Sequence, residues 1–109
     1  MLQEIIGSRA RARVLLFIAN YGEGYARGIA QSFGYPIGMV QRQLRKLEEG
    51  GVFVSTLKGK TRLYTWNPRY SFGMELRALL EKALELLPPA ETQKYFRARR
   101  RPRRADKSL

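Results

Sequence analysis

The chain has 109 residues, 44% of them apolar, which is enough for one domain with a modest core. Twenty-one Lys and Arg stand against nine Asp and Glu, and the net charge of +12 makes a polyanion the default partner, nucleic acid before a membrane surface. Cys and His are both absent, which excludes a disulfide framework and the usual transition-metal ligands, so neither a metal nor a cofactor is expected.

The first residues, Leu2 to Ile6, form a short apolar lead-in that ends at Gly7. Ser8 has the right chemistry and position to cap a helix, and Val14, Leu15 and Ile18 recur behind it at helical spacing. A first helix is therefore predicted over Arg9–Asn20, with Arg9 and Arg13 turned away from its apolar side, and Tyr21-Gly22-Glu23-Gly24 closing it. The segment lacks the basic-then-apolar order of a signal peptide, and no apolar run approaches the roughly 18 residues of a membrane span. A cytoplasmic, nucleoid-associated protein is the expectation.

A second, short helix is predicted from about Tyr25 to Phe33, with Ile29, Ala30 and Phe33 inward and Gly34 at its C-terminal end. Pro36 suits the first turn of a third helix, since the N–H it lacks has no partner there anyway. That helix reads to about Glu49. At 100° per residue Ile37, Val40, Leu44 and Leu47 share a core stripe about 80° wide. Gly38, Arg42, Arg45 and Lys46 lie opposite, with Met39 and Gln41 on the flanks.

Gly50-Gly51 ends the third helix. Val52–Leu57 and Arg62–Trp66 are rich in β-branched and aromatic residues, and they flank Lys58-Gly59-Lys60 as a β-hairpin would. Tyr64 and Trp66 read as packing residues of that hairpin rather than base-stacking ones. The last helix, about Ser71–Leu87, carries an apolar arc about 160° wide that includes Phe72, Leu76, Leu79, Leu80, Ala83, Leu84 and Leu87. Such an arc closes the monomer core, pairs with a copy of itself in a dimer, or does both. Pro88-Pro89 is expected to stop the helix.

Residues 1–93 thus read as one mainly α domain with a small β-hairpin, and residues 94–109 as a basic, disordered tail. The tail holds eight basic residues and one acid, so the folded part is only moderately basic. Arg97, Arg99, Arg100, Arg101, Arg103 and Arg104 suit a non-specific DNA arm; RNA binding, partner binding and simple solvation are the alternatives.

The order helix, short helix, tight turn, helix, hairpin, helix describes a winged helix-turn-helix, and this chemistry fits DNA. An α-helix enters the major groove, where Gln and Arg can each make paired hydrogen bonds to one base. A basic hairpin beside it can follow the backbone or enter the minor groove. Gly38, Met39, Gln41 and Arg42 are the candidate base contacts, and Arg27, Arg45, Lys46, Lys58, Lys60 and Arg62 the candidate phosphate contacts.

From Arg27 to Pro68 the chain resembles the DNA-binding core of ArsR-like winged-helix transcriptional regulators. The most telling stretches are Leu44-Arg45-Lys46-Leu47-Glu48-Glu49-Gly50-Gly51-Val52 and Ile29-Ala30. Ile5-Ile6-Gly7-Ser8-Arg9 is similar to the start of a prokaryotic subgroup found beside nucleotidyltransferase domains. The resemblance spans roughly residues 5–87 and implies a dimeric, sequence-specific regulator of transcription on double-stranded DNA. Metal-sensing members use Cys, His and carboxylate clusters, so this chain departs from them.

A catalytic role is not expected. There is no His to act as a general base, no Cys nucleophile, and no glycine-rich loop placed to cradle a phosphate, while Glu81 and Glu85 look like surface residues. The competing reading is a winged-helix adaptor or partner protein, for example of a nucleotidyltransferase or a toxin–antitoxin system, with only non-specific affinity for nucleic acid.

Overall fold

A computed structural model of the chain describes residues 2–96. The elements run α1 (Leu2–Ile6), α2 (Arg9–Tyr21), β1 (Glu23–Tyr25), α3 (Ala26–Phe33), α4 (Ile37–Glu49), β2 (Phe53–Lys58), β3 (Thr61–Trp66), α5 (Gly73–Leu86) and α6 (Pro89–Tyr95). Helices therefore dominate, with one small antiparallel sheet of order β1-β3-β2.

Local chemistry sets most boundaries. The Ser8 hydroxyl accepts a hydrogen bond from the Arg11 N–H at 3.1 Å, so it caps α2 as its type suggests. At the far end the Gly22 N–H donates to the Ile18 carbonyl. Pro36 stands at the cap position of α4 rather than inside its first turn. In the hairpin Lys58 pairs with Thr61, which leaves Gly59 and Lys60 as a two-residue loop. Gly59 has φ of 63° and Lys60 keeps a negative φ, as in a type II′ turn, where glycine belongs at the first position.

Helix α2 is the hub. It packs against α1, α4 and α5, so Val14, Leu15, Leu16 and Ile18 are all buried, more than a one-sided apolar stripe provides. Val40 and Leu44 of α4, Ile29 of α3, Phe53 of β2 and Leu80 of α5 complete the core. Each such residue contributes about 1.5–3 kcal/mol by leaving water. Tyr64 is buried, and Trp66 packs edge-on to Phe53 with centroids 5.2 Å apart, so both wing aromatics serve packing. Asn67 ties the hairpin shut: its N–H donates to the Val52 carbonyl and its side-chain amide to the Gly51 carbonyl.

Several elements differ from the sequence reading. The lead-in Leu2–Ile6 is a helix with Leu2 buried on α2. Glu23–Tyr25, expected as part of a turn, is a third strand paired with β3, with Tyr25 opposite Leu63. The close approach explains why glycine sits at its centre, since a Cβ at Gly24 would meet Phe17 and Ile29 at 3.1 Å. Pro88-Pro89 ends α5, but Pro89 also opens α6, whose end brings Phe96 into the core. The folded part therefore runs past residue 93.

Candidate nucleic-acid interface

Helix α4 divides its residues between two surroundings. Val40, Leu44 and Leu47 are buried, while Gly38, Gln41, Arg42, Arg45 and Lys46 are exposed and Met39 is half-buried. Ile37, assigned by its spacing to the core stripe, is instead 39% exposed, because the first residue of the helix lies beyond the edge of the core. Gln43 is also withdrawn from the outer face. Its amide oxygen accepts a 2.9 Å hydrogen bond from the Arg11 Nε–H, which fixes α4 to α2.

A groove of about 420 Å³ lies between α4, the start of α3 and the hairpin. It gathers Arg27 from α3, Gln41 and Arg45 from α4, and Lys60 and Arg62 from the hairpin. Five polar or basic residues singled out by the sequence thus meet at one place. Gly38, Met39, Arg42, Lys46 and Lys58 do not line this groove. Among the described residues, the side chains of Arg27, Arg42, Arg45, Lys46, Lys58 and Lys60 make no hydrogen bond or ion pair, so their charges face solvent.

Arg62 is held in place. Its guanidinium donates to the Ser55 hydroxyl at 3.1 Å, and that hydroxyl donates to the Glu48 carboxylate at 2.8 Å. The chain links the hairpin to the C-terminal end of α4. Beneath it, burial, with the nearby Glu48 carboxylate adding, pushes the Tyr64 phenol above its ordinary value. Tyr64 therefore stays neutral across the physiological range. Tyr25, Leu57 and the exposed Ile37 also line the groove, and sequence spacing gives no sign of them there. No periodic signal marks Leu57, which is 61% exposed on the hairpin.

Helix α5, which also packs on α2, presents its own divided surface. Leu80, Ala83 and Leu84 are buried in the protein's own core, and Leu76 and Leu87 pack half-buried against it. These five belong to the arc from which a dimer interface is expected, but facing α2 leaves them little or nothing to offer a partner. Phe72 and Leu79 remain outward at 64% and 36% exposure, joined by Leu86 at 59%. Arg97, Arg99, Arg100, Arg101, Arg103 and Arg104 lie outside the described residues.

Among the described residues, no three His, Cys, Asp or Glu side chains gather where a metal ion could be held. None of the described helices is long and apolar enough to cross a membrane.

No family model and no curated relative matches the chain. Similarity appears among solved structures. The chain is similar to the AntR antimony-specific transcriptional repressor, with 23% identity and a TM-score of 0.63, over 84% of this chain and 78% of that one. The fold is a winged helix-turn-helix. A MarR-family transcriptional regulator from Rhodococcus sp. RHA1 has 24% identity and a TM-score of 0.54, with 84% of this chain and 71% of that one covered. Lactococcus lactis ZitR in its apo form has 16% identity and a TM-score of 0.54, over 84% of this chain and 78% of that one. In this winged helix-turn-helix α3 and α4 form the helix-turn-helix and β2–β3 the wing.

Proposed function

We propose that the protein regulates transcription by binding specific sequences of double-stranded DNA as a homodimer. Helix α4 lies in the major groove, and the wing follows the backbone or the adjacent minor groove. The observation that carries this reading is the groove that unites Arg27, Gln41, Arg45, Lys60 and Arg62 beside the exposed polar face of α4. In this reading Gly38, Met39, Gln41 and Arg42 meet base edges, while Arg27, Arg45, Lys46, Lys58, Lys60 and Arg62 meet phosphates. The resemblance of residues 5–87 to ArsR-like regulators supports the same reading. Arg97 to Arg104 would add non-specific attraction on the strength of their charge.

Dimerisation is part of the proposal. Phe72, Leu79 and Leu86 stand seven residues apart and all face outward, an apolar ridge of the kind that pairs helices. A two-fold dimer sets two α4 helices about 34–36 Å apart, one turn of DNA, and selects inverted repeats.

The exposed Ile37 and Leu57 favour a second reading, since an apolar centre with a cationic rim also suits a protein partner. The protein is then an adaptor, for example of a nucleotidyltransferase or a toxin–antitoxin system. Competition separates the two. A regulator bound to its own promoter region resists an excess of unrelated duplex. An adaptor is displaced by that excess, and this result would overturn the regulator reading.

A further inference from the structure

Ile37 belongs by its spacing to the core stripe of α4, yet it stands 39% exposed. It lines the groove beside α4 and also a second hollow, of about 330 Å³, which it shares with Ala30, Gln31, Gly34 and Tyr35. Its side chain therefore has open space on two sides. Gly38, the next residue, brings no bulk of its own, and a Cβ there would meet nothing within 4 Å. An aliphatic side chain is thus held out at the N-terminal end of the helix, with room for another surface to reach it.

Gln41 and Arg45 follow Ile37 at intervals of four residues and line the same groove. One column of the helix surface therefore carries, in order, an aliphatic group, an amide and a cation. DNA offers a match for each: the thymine C5-methyl, the N6 and N7 of adenine, and the phosphate. Four residues advance a helix by about 6 Å, so the first two side chains of the column meet neighbouring base pairs rather than the same one.

We propose that Ile37 packs on the C5-methyl group of a thymine in the major groove, one thymine for each α4, while the Gln41 amide takes a neighbouring adenine. The contact rests on the DNA reading and adds a base preference to it. The thymine is recognised by its apolar group, so cytosine, which lacks the methyl, is refused. Leu57 is also exposed in the groove, but it belongs to the wing, and the backbone and minor groove that a wing meets display no methyl. Met39 is half-buried and lies about 200° around the helix from Ile37.

The test uses the full chain and a duplex selected with it from a random pool, each thymine being replaced in turn by deoxyuridine. Uracil keeps every hydrogen-bonding group of thymine and loses only the methyl. At one position per half-site the change is expected to weaken binding about fourfold, the worth of one methylene-sized group leaving water. Ile37→Ala binds the thymine duplex at least fourfold more weakly than wild type and no longer distinguishes thymine from uracil. Ile37→Val and Leu57→Ala both keep the preference. Two results overturn the contact: a specific complex indifferent to uracil at every position, or a preference for thymine that survives Ile37→Ala. Either leaves the DNA reading standing, since the duplex is still bound specifically. Failure to select any specific duplex overturns the DNA reading and the thymine contact with it.

Discussion

Helices α4 and α5 are built alike on the inside and differently on the outside. Each buries aliphatic residues against α2, Val40 and Leu44 on one and Leu80, Ala83 and Leu84 on the other. Outward, α4 shows Gln41, Arg42, Arg45 and Lys46, whereas α5 and the residue that caps it show Phe72, Leu79 and Leu86. The inward faces make the fold; the outward faces are those proposed to meet partners. Cations without partners suit a polyanion, and an apolar ridge suits another apolar ridge.

Substitutions inside should erase the difference between the two helices. Leu44→Ala and Leu80→Ala remove fully buried side chains, and each is expected to lower the unfolding free energy by about 2–5 kcal/mol in urea denaturation. A much smaller loss at either site would mean that helix is not seated as described.

Outside, the helices should diverge. Leu79→Glu places a charge on the α5 ridge and is expected to yield a stable monomer in sedimentation velocity, because Leu79 is 36% exposed and a carboxylate there would have to be desolvated in the interface. An unchanged dimer, or a wild-type protein already monomeric at micromolar concentration, removes α5 from the interface. Arg42→Ala should leave the oligomer intact and cost about 1–3 kcal/mol of DNA affinity, confined to one base position. Equal weakening on every sequence reassigns Arg42 to the backbone.

Two smaller effects sharpen the contrast. Lys58→Ala with Lys60→Ala should flatten the dependence of log affinity on log salt by about 0.9 for each phosphate the wing no longer neutralises. An unchanged slope excludes the wing from the interface. Tyr64 carries a pH signature, because burial raises its folded value above the ordinary one. Its stabilising contribution is complete below an unfolded pKa of about 10 and is lost as pH rises through the raised folded value. Tyr64→Phe should therefore reduce the alkaline loss of stability in pH-dependent melts.

The elements legible in the sequence are those governed by local chemistry. The Ser8 cap, the Gly34 terminus and the Lys58-Gly59-Lys60 turn are written in residue type. The three short elements are not. β1 has three residues with glycine at the middle and exists because β3 offers a second edge. α1 is five residues that bury Leu2 on α2. α6 begins at a proline that reads as a stop, although a proline at the first helical position costs no hydrogen bond. Its Phe96 sits immediately before a run of arginines that disguises it as tail.

At the candidate site, the polar side of α4 and the basic wing were legible because periodicity and composition expose them. The Glu48–Ser55–Arg62 chain and the Arg11–Gln43 tie were not, since they join residues whose proximity only the fold creates. The arc of α5 shows the same limit. Its width exceeds what one core face needs, but one helix's spacing cannot say which half faces its own core.

Selection of bound duplexes from a random pool, with wild type and Arg42→Ala side by side at two salt concentrations, tests this division of labour most directly. The account predicts a palindromic consensus for wild type that survives higher salt and degenerates at one position per half-site in the variant. Pools that stay random for both proteins would contradict it.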